Sequence, residues 1–240
     1  MSRSIDLPDL DLAALTGGQT QAALVIAAGL VALVVVGAHT TWRLARNVVT
    51  IAHEGGHALV AILCGRTLTR ILLHSDTSGV TVSKGRRDGP GMAATAFAGY
   101  ATPPLLGLGA SALVAADAVE AMLGVAIVLL LATLILIRNA YGVFSVVLTG
   151  AVFALVIAYG SPNVQYAFAC FTTWFLILGG LRTVLEVQRK RARRRTPDSD
   201  ADQLARLTPI PAGVWVAAFG LVGVGSLLGA GRLLVVWPPF

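Results

Sequence analysis

Charge is what this sequence has least of. Of its 240 residues 12% are charged and 56% hydrophobic, where a soluble domain averages about 25% and about 45–50%. Runs such as "AMLGVAIVLLLATLILI" have no polar face at helical spacing. That excludes one large soluble helical bundle and places the chain in a bilayer. Cysteine is scarce too. Cys64 and Cys170 are too few for a disulfide framework, and their apolar surroundings make both read as small buried hydrophobes. There is no repeat period and no low-complexity tract. Nor does the start look like an ordinary signal peptide. "MSRSIDLPDLDLAALTGGQT" stays polar for too long before the first apolar run, so the first span is expected to be retained.

What is present is a series of apolar runs, each near the ~20 residues needed to cross. They lie at about 21–40, 46–64, 92–115, 119–137, 141–159, 164–182 and 212–236. The expected fold is an all-α integral membrane protein of about seven transmembrane helices. A tail, 1–20, precedes a single polytopic domain, 21–240. Residues 67–84, "TLTRILLHSDTSGVTVSK", change character. β-branched residues alternate around the turn cluster "SDTSG", which predicts a β-hairpin. It is either a plain loop or an exposed strand edge able to add a substrate strand. His74 and Asp76 read as turn contacts rather than metal ligands. His39, near the end of the first span, reads as interfacial.

Lysine and arginine set the expected orientation. The net charge of +6 fits basic cytoplasmic loops rather than nucleic-acid binding. Segment 65–89 carries Arg66, Arg70, Lys84, Arg86 and Arg87, and the loop 183–211 carries "RKRARRR". With seven spans and a cytoplasmic N-terminus, both fall inside, as does Arg138, and the basic run is explained by topology and lipid headgroups. Arg43 and Arg46 fit poorly, because this arrangement puts them on a short outer turn.

Within the second span lies "HEGGH", an H-E-x-x-H pattern. On a helix His53 and His57 are four residues apart and share a face, so both imidazoles can reach one Zn²⁺ at about 2.0–2.1 Å. Glu54 follows the first histidine and can take the proton of a water that such an ion activates. An ionisable residue at mid-membrane costs at least ~2.5–3.5 kcal/mol on insertion scales. Three within five residues are poorly explained by packing. Gly55 and Gly56 either let a substrate backbone approach or serve helix packing. A third protein ligand is expected, with a fourth place left for water. The cytoplasmic segment 182–206 could supply it by folding back.

"HEGGHA" in the second span resembles the intramembrane zinc metallopeptidases of the site-2 protease family. The later stretches "LLHSDTSGVTVSKG", "AGYATPPLLGLG", "RNAYG" and "DSDADQLARLTPIPAGVWV" resemble a short branch of that family without a PDZ domain. The resemblance implies His53 and His57 as zinc ligands, Glu54 as catalytic acid/base, and cleavage of peptide bonds in or beside a substrate's transmembrane segment. It also implies a multi-pass protein of a bacterial inner membrane, with transmembrane proteins and the bilayer as partners. The family usually supplies its third ligand from an "LDG"-type motif, which is missing here. Asp200 of "SDAD" is the first candidate, Asp202 the second and Glu186 the third. The same "DSDADQL" also reads as an N-cap leading into a short helix. "AGYATPPLLG" resembles the family's Gly-Pro helix that pairs with the motif helix, or is a simple kink at Gly99, Pro103 and Pro104. The competing expectation is a non-proteolytic homologue acting as scaffold or zinc binder. A transporter is disfavoured by the nearly featureless fourth and fifth spans. Substrate identity and oligomeric state are not written in the sequence.

Overall fold

A computed structural model describes residues 12–193 and 199–236. Most of the tail 1–20 therefore lies outside the described residues, as does Asp198. The elements are α1 (Leu12–Gly37), α2 (His39–Leu63), β1 (Thr67–Leu73), β2 (Gly79–Lys84), α3 (Pro90–Ala115), α4 (Val119–Leu136), α5 (Ala140–Tyr159), α6 (Pro162–Ala192), α7 (Asp200–Leu207) and α8 (Ala212–Gly231), which ends in a π-helical turn, Arg232–Val236.

Among the described residues six helices, not seven, are long and apolar enough to cross a membrane: α1, α3, α4, α5, α6 and α8. The expected second span lies inside α2. That helix has 25 residues, but Arg43, Arg46, Asn47, His53, Glu54 and His57 leave it too polar by composition.

Chain direction corrects the expected alternation further. Gly29 packs on Trp174, and Arg182 donates to the carbonyls of Val36 and Gly37, so α1 runs parallel to α6. Helix α3 runs antiparallel to α6, with Gly107 on Ile177 and Gly180 on Pro104. Seven alternating spans would make α1 parallel to α3 instead. The start of α2 lies beside the C-terminal half of α6, where Trp42 meets Glu186. Its end, at Cys64, packs on Gly91 at the start of α3. Both ends of α2 therefore lie toward the α6 C-terminal end of the bundle. That end also holds the hairpin, the α4–α5 connection and α7. The N-terminal end of α1 lies at the opposite end, not beside the 183–211 loop as expected. Arg43 and Arg46, misplaced in the seven-span scheme, now join the other basic residues.

Three apolar clusters hold the elements together. One joins α1, α3 and α6 through Ala32, Ala110, Cys170 and Ile177. A second seats α7 on α3, α6 and α8. The third packs Ile71 and Leu73 of β1 on Ile51, Ala58 and Val146. Outward-facing Leu131, Ile135, Phe144 and Leu155 on α4 and α5 are exposed, as suits a surface that lipid would cover. Cys170 is buried, but Cys64 is exposed, contrary to expectation. It is the C-cap of α2, where the start of α3 at Gly91 approaches it but leaves it exposed.

The hairpin forms as expected, antiparallel from Thr67 opposite Lys84 to Leu73 opposite Gly79. Its tip is made by turn chemistry. Asp76 accepts from the Ser78 backbone N–H at 3.0 Å, and these Ser78 hydrogen bonds hold its carboxyl below the usual range. The outer edge of β1 is partly taken. Asn139 bonds both the N–H and the carbonyl of Leu73, and the Arg138 N–H donates to Ile71. Among the described residues no strand pairs with the free edge of β2.

Candidate metal centre

His53 and His57 project from one face of α2, as their spacing requires. His57 is fixed by its Nδ1, which lies 2.7 Å from the carbonyl oxygen of Thr95 on α3. If Nδ1 carries the proton it donates there, and the Nε2 lone pair is left to face the site. The two rings meet edge to face, with centroids 4.7 Å apart. Helix α3 can come this close because residue 99 is glycine. A Cβ there would sit 2.4 Å from His57 Nε2 and 2.7 Å from His53 Cε1. Gly99 is thus a contact position and not a kink, and Pro103 and Pro104 lie inside one continuous helix. Having no N–H, those prolines leave the Gly99 and Tyr100 carbonyls without their usual helical donors.

The third group comes from α7. Ser199 is its N-cap and forms a capping box with Asp202, satisfying donors that would otherwise be orphaned. Ala201 and Leu204 are fully buried against α3, α6 and α8. Locked in this way, the helix turns Asp200 toward α2. Its Oδ2 lies 3.2 Å from His53 Nε2 and 3.3 Å from His57 Nε2, and the two Nε2 atoms are 3.1 Å apart. A tetrahedral ion bound at about 2.0–2.1 Å separates its ligands by roughly 3.3–3.4 Å. The three atoms therefore fit one metal ion of zinc's size. Burial pushes the Asp200 carboxyl up, but His57 and His53 outweigh it and hold the group well below the usual carboxylate range.

Glu54 is buried beside this group on the hairpin side. Its Oε2 accepts from Thr81 Oγ1 at 2.7 Å. Gly79 gives it room, since a Cβ there would lie 2.6 Å from Oε1. Glu54 and His53 line a cavity of about 170 Å³, together with Arg46, Thr50, Gly79 and Tyr100. Tyr100 sets its ring edge to face with His53, at 4.8 Å, and stacks on Phe219. The two glycines of the motif differ. Gly56 serves packing, because a Cβ would meet the Thr102 hydroxyl at 2.1 Å, whereas Gly55 has only Thr133 at 3.7 Å.

The other candidates lie elsewhere. Glu186 accepts from Trp42 Nε1 at 2.8 Å and pairs with Arg182 at 3.1 Å and Arg46 at 3.5 Å. Asp202 is held by Ser199 and Arg191. So "DSDADQL", read as either a ligand or a cap, does form the cap through Ser199 and Asp202, while Asp200 faces the histidines. His74 stays in the hairpin turn, 3.3 Å from Ser78. His39 begins α2 and is exposed. Thr95, Thr81 and Gly79 escaped the sequence reading. Thr81 and Gly79 were part of an alternating strand, and nothing marks the Thr95 carbonyl.

A model of the Peptidase M50B-like family matches residues 26–230. The chain belongs to that family. This agrees with the resemblance to site-2 proteases and identifies a membrane protein of a protease family. M50 peptidases are zinc metalloproteases, and the group His53, His57 and Asp200 is where a metal could sit in this one. No curated protein and no solved structure is significantly similar to the chain.

Proposed function

We propose that the chain is an intramembrane zinc metalloprotease that hydrolyses peptide bonds in or near transmembrane segments of other membrane proteins. The observation that carries this reading is the convergence of His53 Nε2, His57 Nε2 and Asp200 Oδ2 at ligand spacing, with Glu54 lining the adjoining cavity. Asp200 is the third ligand, in place of the missing "LDG" aspartate. A zinc ion held there supplies Lewis acidity toward water and the substrate carbonyl. The chain's own residues do the rest. Thr95 orients His57, and Thr81 orients the Glu54 carboxylate. Glu54 takes a proton from the attacking water and delivers it to the leaving amine. The cavity admits water, and the free β2 edge offers backbone groups to an extended substrate segment.

The end of the bundle that carries the site holds every described Lys and Arg except Arg232. By the positive-inside rule it faces the cytoplasm. The N-terminal end of α1 then faces outward, the reverse of the orientation expected from seven spans.

The test compares wild type with Glu54→Gln, both loaded with zinc, on a single-span model substrate. Wild type cleaves, and the variant loses about 10²–10⁴-fold in rate while keeping its metal. Equal cleavage by both contradicts the assigned role. No cleavage by a zinc-loaded wild type points instead to the non-proteolytic homologue.

A further inference from the structure

We propose that Arg46 forms a carboxylate subsite beside the reacting centre, selecting an acidic side chain about three residues from the cleaved bond. The proposal rests on the peptidase reading above and names the substrate feature that the same cavity takes.

Arg46 stands two helical turns before His53 on the same face of α2, and both line the 170 Å³ cavity. Seven residues of helix rise about 10 Å. An extended chain covers that distance in about three residues at ~3.3 Å each. A substrate strand with its scissile bond near Glu54 therefore passes the guanidinium three residues along.

The local charge favours an anion. Arg46 and Arg182 share one carboxylate, Glu186, which also accepts from Trp42. Two cations thus share one anion, while Glu54, the acid that lines the cavity, accepts from Thr81. Asp76, another acid whose charge interacts with Arg46, sits exposed at the hairpin tip with its Oδ1 committed to Ser78. Donor capacity points the same way. Arg46 Nη1 donates to Thr77 Oγ1 at 3.0 Å and Nη2 faces Glu186 at 3.5 Å, which leaves one further N–H on each for a substrate carboxylate, while Nε is buried away from it. A guanidinium has five N–H donors in a planar fork suited to a carboxylate. An arginine serving only to clamp the hairpin to α6 needs no neighbouring cavity and confers no preference for substrate charge.

The test uses the full chain in detergent with single-span peptides that differ only in carrying Glu or Gln, scanned through six residues on either side of the cleavage point. Binding is measured on Glu54→Gln, and kcat/KM on wild type. At one position, about three residues from the cleaved bond, the Glu peptide is favoured about tenfold in both. In an Arg46→Gln background the Glu-to-Gln ratio falls to about one, whatever the absolute activity, and Arg46→Lys keeps part of it. Equal binding of Glu and Gln peptides at every position overturns the subsite even if cleavage is robust. A preference that survives Arg46→Gln overturns it too. Loss of cleavage with the binding preference intact counts against the peptidase reading and not against the subsite.

Discussion

The two ends of this helical bundle are built differently. At one end the chain gathers the hairpin, the polar α2, the short α7 and nearly all of its described basic residues. At the other, the described charges are Asp117, Glu120 and Arg232, and short turns join long apolar helices. Helices α4 and α5 continue that plainness, with most large side chains facing outward. Polar groups in a bilayer are costly and persist where they line water or one another. Among the described residues the buried carboxylate and imidazole, Glu54 and His57, both lie at the first end, where three potential ligand atoms converge.

The sharpest way to break the contrast is topological. In a background with Cys64 and Cys170 replaced, a cysteine at exposed Gln19 and one at exposed Arg193 should react with a membrane-impermeant thiol reagent from opposite sides. Labelling from the same side would restore the seven-span alternation.

That alternation shows where the sequence misleads. Helices were legible because apolar length is a one-dimensional property, and the hairpin was legible from alternation and turn residues. Direction was not, because counting spans assumes that each helix crosses. Arg43 and Arg46 on an outer turn were the one sign of trouble. At the site, His53, Glu54 and His57 were legible because their spacing carries the geometry within one helix. Choosing among Asp200, Asp202 and Glu186 was not possible on the same footing. It depends on Leu204 and Ala201 docking against Phe219 and Val187, a tertiary fact. The orienting Thr95 contributes only a backbone carbonyl, which no side-chain pattern reveals.

Next in size is Gly99→Ala. Its methyl would land 2.4 Å from His57 Nε2, so zinc affinity should fall at least 10–100-fold, the range seen when groups supporting a metal ligand are disturbed. A competition titration with a chelator measures it, and an unchanged affinity would mean that α3 does not press on the histidines.

Smaller effects should separate the ends more finely. Ser199→Ala removes the α7 cap and should cost about 1 kcal/mol, read as faster hydrogen exchange in α7 and weaker zinc retention. Gly124→Ala and Gly150→Ala, where a Cβ would meet nothing within 4 Å, should stay within about 0.5 kcal/mol of wild type in thermal unfolding. A large loss at either would show that the outward faces are packed against something.

The central claim is that His53, His57 and Asp200 hold one zinc ion. Metal content of the purified full chain tests it most directly, in wild type and in Asp200→Ala, Asp202→Ala and Glu186→Ala. The account predicts one zinc per chain in wild type, its loss in Asp200→Ala, and retention in Glu186→Ala and, with its cap weakened, in Asp202→Ala. Full zinc in Asp200→Ala, or its loss in Glu186→Ala alone, would contradict it.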